Sequence, residues 1–259
     1  MKQLILTKKE PEKRLLLSLK KNAGRGSSGR VTVRHRGAGV KKLYRVVDFK
    51  QEKIGISAKV VALEYDPYRT AFLMLLEYKD GEKRYQLAPH NIKIGDEIIC
   101  RENTEIKIGN RLKLKNIPVG TLVYNVEIEP GRGGKMAKSA GSAATVLAQE
   151  GKFTHLSMPS GEVRKVLQEG FASVGQVSNP EKRFEVIGKA GRRRLKGWRP
   201  TVRGGAMIPP DHPHGGGEGR TPIGMKFPKT PWGKPARGVK TRKRKWTNKF
   251  IIQRRQKKK

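Results

Sequence analysis

The positive charge of this chain is concentrated at its two ends, and this distribution most constrains what the chain can fold into. Residues 182–259 contain 25 Lys and Arg against three acidic residues, and residues 1–34 contain 10 against two. The intervening residues 35–181 are nearly balanced, with 23 basic and 17 acidic side chains. Segments of one charge sign repel themselves and stay open unless an anionic partner neutralises them. We therefore predict a packed body with two basic arms that bind a polyanion, and RNA or DNA is the first partner to consider.

The middle of the chain is patterned as short β-strands. Segments rich in β-branched and aromatic residues recur roughly every ten residues with Gly and Pro between them, which favours small β-barrels over a βαβ sheet. Asp80-Gly81 predicts a tight hairpin, because such a turn needs residues that tolerate positive φ. Predicted strands cover residues 43–49, 59–65, 71–78, 84–87, 97–100, 111–114, 121–128, 144–148, 153–156, 162–167 and 184–187.

Composition divides the chain into four predicted segments. A basic N-terminal extension covers residues 1–34, a first β-barrel 35–115, a second β-barrel 116–190, and a basic Gly/Pro-rich extension 191–259. Beyond residue 191 the frequent Gly and Pro are expected to leave no room for a regular element.

Two function classes find little support in the composition. No apolar run approaches the roughly 18 residues that a membrane-spanning helix needs. Cys100 is the only cysteine, so the sequence predicts neither a disulfide framework nor a cysteine metal site. A reducing, cytoplasmic setting fits this usage, and we expect Cys100 to be a small buried hydrophobic residue.

The tryptophans have an unusual placement. Trp198, Trp232 and Trp246 all lie in the C-terminal extension, beside Lys and Arg. Interleaved aromatic and basic residues suit a surface that stacks on nucleobases and neutralises phosphates. The same placement is equally compatible with the alternative that each tryptophan packs the extension onto the chain's own body.

A series of ordered motifs extends over most of the chain. They are GRVTVRHRGAG at residues 29–39, YRVVDFK at 44–50, LEYDP at 63–67, DGEKRY at 80–85, NIPVG at 116–120, SAG at 139–141, PSGEVR at 159–164, GKAG at 188–191, RPTVRG at 199–204, DHPHGGGEGR at 211–220 and TPWG at 230–233. On these motifs the chain resembles the bacterial-type family of large-subunit ribosomal protein L two (universal name uL-two). The resemblance implies a mainly β fold, with an oligonucleotide-binding-type barrel, then a Src-homology-three-like barrel, and basic arms extended into ribosomal RNA.

The resemblance also implies a function. It is that of a structural, non-enzymatic constituent of the large ribosomal subunit in translation, one that binds large-subunit rRNA, supports subunit association and tRNA placement, and extends toward the peptidyl transferase centre. The implied partners are rRNA and other ribosomal components, including small-subunit contacts, with no membrane and no homo-oligomer. No cofactor is implied apart from magnesium ions that accompany RNA, and the implied location is cytoplasmic and ribosome-bound.

Two RNA-gripping arginines of the family match Arg69 and position 138, which is Lys138 here. A lysine keeps the charge but lacks the planar fork of arginine, so this contact is expected to be weaker. The turn Asp66-Pro67 is expected to direct Arg69 away from the body. The full set of predicted RNA-binding residues is Arg34, His35, Arg36, Arg69, Lys138, Arg192, Arg193, Arg194, Arg199, Arg203, His212, His214, Arg220, Trp232, Arg242 and Arg244.

The loop that begins at Asp211 has three interpretations. His212, His214 and Glu218 are metal-ligand types, but their spacing matches no common zinc motif, and we predict no metal site. Histidine exchanges protons near neutral pH, so His212 is a candidate assisting residue in peptidyl transfer, as proposed for the matching family position, with Asp211 as its only evident orienting partner. The third interpretation, which we favour, is structural: the glycines let the loop thread between RNA helices while its histidines donate hydrogen bonds.

Two rival functions remain open at this point. An RNA-processing enzyme would use the side chains of the loop from His212 to Glu218, and would show metal-dependent turnover of RNA. A DNA-packing protein would prefer DNA, but it would not need two balanced β domains.

Overall fold

A computed structural model describes residues 6–7, 10–219 and 221–255, and within them the chain is mainly β. The strands are β1 Leu16–Ser18, β2 Leu43–Arg45, β3 Ser57–Glu64, β4 Leu73–Tyr78, β5 Lys83–Leu87, β6 Glu97–Ile99, β7 Arg111–Lys113, β8 Leu122–Tyr124, β9 Val126–Glu127, β10 Gly134–Met136, β11 Ala144–Glu150, β12 Phe153–Ser157, β13 Val163–Leu167, β14 Phe171–Val174 and β15 Ile251–Gln253. The α-helix α1 covers Ala190–Leu195, and 3-10 helices cover Lys13–Leu15, Leu114–Asn116, Pro180–Phe184, Gly204–Ala206 and Lys245–Phe250. The predicted fold class is confirmed: the sheets are consistent with an oligonucleotide-binding-type and a Src-homology-three-like domain, although no sheet closes into a barrel within the described residues.

The first sheet has the strand order β5-β4-β3-β6 and contains the predicted hairpin. Gly81 turns between β4 and β5 with φ +79°, as the Asp80-Gly81 pair requires. A bulge between Val60 and Ala62 in β3 moves these two residues to opposite faces of the sheet. Residues on both faces of this sheet are therefore buried.

The second sheet has seven strands in the order β15-β13-β12-β11-β8-β14-β7. Its core is aliphatic, with Leu112, Val123, Val146 and Leu156 fully buried. The short strand β14, which the strand prediction missed, joins β7 to β8. Among the described strands of this sheet, β7 is connected to the others only through β14.

One buried ion pair joins strand β7 of this second sheet to strand β9, which belongs to a separate two-stranded sheet with β10. Arg111 Nη2 donates to Glu127 Oε1 over 3.0 Å, and the side chains are 0% and 2% exposed. Arg111 Nη1 also donates to the carbonyl of Asn125, and the amides of Gly131 and Phe171 donate to Glu127 Oε2. The two charges are therefore embedded in a hydrogen-bond network, as buried ions require.

Two predictions about the end of the body are wrong. Residues 184–187 form no strand, because Asn179 (φ +61°) and Pro180 start a 3-10 helix that runs to Phe184. The chain beyond residue 191 is also not free of regular elements. Helix α1 carries three consecutive arginines, which are good helix formers, and β15 pairs with β13.

The described chain forms two compact units. One contains residues up to 19, residues 42–186 and residues from 247 onward, and includes every described strand. The other joins residues 20–41 to residues 187–246, so that parts of both basic arms fold together. The four segment boundaries proposed from composition stay a prediction. No helix of the described residues is long and apolar enough to span a membrane.

Candidate RNA interface

An aromatic platform in the first unit, made of Tyr44, Phe49 and Tyr68, carries two of the predicted cations. The Arg69 guanidinium carbon lies 5.1 Å from the centre of the Tyr44 ring and 5.3 Å from that of Phe49. Lys138 Nζ lies 4.2 Å from the centre of the same Phe49 ring. These are cation–π distances, so Phe49 holds Arg69 and Lys138 side by side, as the predicted pairing of these residues requires.

The expected direction of Arg69 is wrong. Instead of pointing away from the body, Arg69 Nη1 pairs with the carboxylate of Asp66, which is fully buried. Its Nη2 donates to the Tyr44 hydroxyl over 2.9 Å. The Asp66 carboxylate also accepts the amide of Tyr68, so the turn that follows Asp66 folds back on itself. Arg69 is thus held against the platform with its side chain 17% exposed.

Lys138 has no carboxylate partner among the described residues. Burial lowers the pKa of Lys138, and the neighbouring charges of Arg69 and Lys135 lower it further. A partly desolvated cation beside two other cations is an unfavourable arrangement in the free protein. An anion such as a phosphate would stabilise it, which makes Lys138 the principal unneutralised charge of the platform.

The edge of the platform adds residues that the sequence interpretation missed. Tyr68 is 41% exposed and packs edge-on against Tyr44, with ring centres 5.6 Å apart. Lys42 Nζ donates to the carbonyl of Pro67 and lies 6.0 Å from the Tyr68 ring. The interleaving of aromatic and basic residues that was noted in the C-terminal extension also occurs around residues 42–50, and that signal could have located the platform.

In the second unit, segment 31–41 pairs with the segment that follows α1. The amide of Arg199 donates to the carbonyl of His35 over 3.1 Å, and the amide of Gly37 donates to that of Gly197. The guanidinium carbon of Arg36 lies 3.6 Å from the centre of the Trp198 ring, and that of Arg193 lies 5.5 Å from it. Three predicted RNA-binding residues, Arg36, Arg193 and Arg199, are therefore brought together.

The remaining predicted residues are placed less closely. Arg34 lies with its guanidinium carbon 5.5 Å from the Trp232 ring. Arg220 falls outside the described residues. Further predicted residues of the second unit with exposed side chains are Arg192, Arg194, Arg203, Arg242 and Arg244.

The histidine loop is ordered by its own imidazoles. His212 is only 7% exposed, and its Nδ1 accepts the amide of His214 over 3.0 Å. The Nε2 of His214 accepts the amide of Lys229 over 2.9 Å. Gly204 lies so close that a Cβ at this position would be 2.5 Å from the His212 ring. The histidines therefore brace the loop.

Acid–base chemistry at this loop would need a carboxylate that orients His212, and a metal site would need a group of ligating side chains. The described residues provide neither. The carboxylate of Asp211 makes no hydrogen bond to His212 there, so the expected orienting partner does not orient the ring. No group of three or more His, Cys, Asp or Glu side chains that could hold a metal ion occurs in the described part of the chain.

Two family models match the chain. The model for the RNA-binding N-terminal domain of ribosomal proteins L2 matches residues 12–100, and the model for the C-terminal domain of the same proteins matches residues 107–233. The first match contains Arg69 and the whole platform, and the second contains Lys138 and the histidine loop. Together the matches span most of the sequence and bear out the resemblance seen in its motifs. The chain belongs to the ribosomal protein L2 family, the structural, RNA-binding proteins of the large ribosomal subunit.

Proposed function

We propose that this chain binds large-subunit rRNA through the aromatic platform and through the arginines around Trp198. In this role it supports association of the ribosomal subunits and placement of tRNA, and it extends its C-terminal segment toward the peptidyl transferase centre. It acts in the cytoplasm bound to the ribosome, does not form a homo-oligomer, contacts small-subunit components and needs no membrane. It takes no cofactor beyond the magnesium ions that accompany RNA.

The observation that carries this proposal is the way Arg69 and Lys138 share the Phe49 ring. Two cations at one ring repel each other, and one of them has no carboxylate within the described residues. Such an arrangement is stabilised when a polyanion supplies the missing charge. Phosphate contacts of this kind fix the position of a protein on RNA, and exposed aromatic rings add stacking with unpaired bases.

The direct test measures binding of the full chain to a large-subunit rRNA fragment and to an unrelated RNA of equal length. The logarithm of the binding constant should fall linearly with the logarithm of salt concentration, with a slope of about −0.7 to −0.9 for each phosphate contacted. The cognate fragment should bind more tightly at every salt concentration. Equal affinity for both RNAs would refute the specific function and leave only a polyanion binder.

We propose that His212 is a structural residue of the loop and not a participant in peptidyl transfer. Its Nδ1 is already engaged by the amide of His214, and its ring is nearly buried. The test is the His212→Ala variant in reconstituted large subunits, with assembly and single-turnover peptidyl transfer measured across pH. Normal assembly with a large loss of rate and an altered pH profile would contradict the structural role.

A further inference from the structure

A cleft of about 540 Å³ opens within the second unit, and no role has been assigned to it so far. Its walls come from three stretches of chain: residues 31–35, residues 202–212, and the pair Pro231 and Trp232. This volume lies within the range of ligand-binding pockets in proteins, roughly 300–1,000 Å³. The cleft is therefore large enough for a small organic group.

One wall of the cleft is aromatic and cationic. Trp232 is 75% exposed, which is a large apolar area to leave in water. The guanidinium carbon of Arg34 lies 5.5 Å from the centre of its ring. An open indole face with an adjacent guanidinium matches a nucleotide, because the base can stack on the ring while the phosphate meets the cation.

Two histidines supply polar groups of opposite kind. The Nδ1 of His35 lies 3.0 Å from the carbonyl oxygen of Pro200, which can only accept, so in the neutral imidazole Nδ1 carries the proton and Nε2 the lone pair. In His212 the Nδ1 accepts an amide, so its proton is on Nε2, which has no hydrogen-bond partner among the described residues. The two histidines that line the cleft thus carry one N–H donor and one nitrogen acceptor, and the Watson–Crick edge of every nucleobase presents both complementary groups.

The backbone also favours a preformed cleft. His35 has φ +60°, a left-handed conformation that is uncommon for a residue with a side chain. Conformations of this kind persist where the surrounding structure holds them, and they cluster at ligand-binding sites. Here the amide of Arg199 donates to the carbonyl of His35 and holds this turn in place.

The surrounding charge selects the class of ligand. The second unit, residues 20–41 and 187–246, contains 24 basic and two acidic residues. Its net charge favours a polyanion over a peptide or a neutral metabolite. In a paired duplex the faces of the bases are hidden by stacking, so only an unpaired nucleotide can place its face on Trp232.

We infer that this cleft receives one unpaired nucleotide of RNA, with its base stacked on Trp232 and its phosphate against Arg34. The inference rests on the proposed function, since it names the form of RNA that the second unit takes. It adds to general phosphate binding a site that distinguishes unpaired from paired RNA.

Tryptophan fluorescence tests this directly. In the full chain carrying Trp198→Phe and Trp246→Phe, Trp232 is the only tryptophan left. Titration with a single-stranded decamer should quench its emission, whereas a fully paired duplex of the same length should bind through charge with little quenching. Equal quenching by the two RNAs would overturn the inference.

Affinity measurements in the otherwise natural chain provide a second readout. Trp232→Ala should weaken binding of the single-stranded decamer on the order of tenfold to a hundredfold, the usual effect of removing one stacking ring. Trp232→Phe should recover most of the loss, which separates stacking from misfolding. Trp246→Ala removes a comparably exposed tryptophan (70%) outside the cleft and is the matched control. Equal losses for the two alanine variants would refute the cleft.

The two proposals fail in different ways. If the natural chain still prefers its large-subunit rRNA fragment but Trp232 does not respond to single-stranded RNA, the cleft is wrong and the proposed function stands. If the natural chain shows no preference for that fragment, the proposed function is wrong whatever Trp232 does.

Discussion

The buried ion pair between Arg111 of β7 and Glu127 of β9 leads to a strong prediction about stability. The Glu127→Gln substitution preserves side-chain shape but removes the negative charge that faces the guanidinium of Arg111. Arg111 is 0% exposed and Glu127 is 2% exposed, so water cannot replace the lost partner. In addition, Arg111 Nε already has no hydrogen-bond partner. A buried charge left without its partner costs about 3–5 kcal/mol.

For a chain of this size each kcal/mol lowers the melting temperature by roughly 2–4 °C, so Glu127→Gln should lower it by roughly 6–20 °C. Far-UV circular dichroism is the suitable signal, because every described strand lies in the first unit, whereas all three tryptophans lie in the second. Urea titration of the same variant should give a lower midpoint with an unchanged slope.

The control for this variant lies two residues away. Glu129 pairs with Arg132 over 2.9 Å, but these side chains are 52% and 69% exposed. Glu129→Gln removes the same charge from an ion pair that water screens, and it should cost no more than about 1 kcal/mol. If Glu127→Gln and Glu129→Gln shift the midpoint equally, burial is not what determines the contribution of these pairs.

Three further predictions concern the platform, the histidine loop and the cysteine. Lys138→Met should remove about one phosphate contact and so make the slope of log affinity against log salt shallower, without lowering the melting temperature. Lys138→Arg should tighten rRNA binding. An unchanged slope in Lys138→Met would contradict a role of the platform in phosphate binding. Gly204→Ala places a carbon 2.5 Å from the His212 ring, so it should shift the imidazole NMR signals and weaken rRNA binding, whereas Gly205→Ala, whose nearest contact is 3.9 Å away, should change neither. Burial raises the pKa of Cys100 to about 11, so iodoacetamide at pH 8 should label the folded chain far more slowly than the urea-unfolded chain, and comparable rates would contradict its burial. The stability gained from this raised pKa is complete below the ordinary thiol value of 9.0 and is lost as pH rises toward 11.

The strands could be predicted because their signals are local. Runs rich in β-branched and aromatic residues and the Asp80-Gly81 turn identify β3, β4 and β5 from a few neighbouring positions. Strand β14, Phe171–Val174, escaped because two of its four residues, Ala172 and Ser173, are small and give a weak strand signal. Its existence depends on pairing with β7 and β8, which are distant in sequence.

The candidate site was predicted only in part, because several of its contacts join residues that are distant in sequence. The resemblance identified Arg69 and Lys138, but the direction of Arg69 depends on the buried Asp66 and on the ring of Tyr44, which lies 25 residues earlier in the chain. The pairing of His35 with Arg199 likewise has no local signal, since each segment alone shows only a basic, Gly-rich composition. Such contacts are set by tertiary packing, which no short pattern encodes.

The kind of partner that each cation has distinguishes two groups of basic residues. Those paired with carboxylates stabilise the fold, whereas those that lie on aromatic rings remain available to RNA. Lys113 pairs with two carboxylates at 2.7 and 3.0 Å, which neutralise it. Lys138 instead lies over the Phe49 ring, and Arg36 lies over Trp198. A ring orients a cation through its quadrupole but carries no net charge, so the full positive charge stays available to a phosphate. Because these cations are ordered before RNA arrives, binding immobilises less side-chain freedom and retains more of the electrostatic attraction.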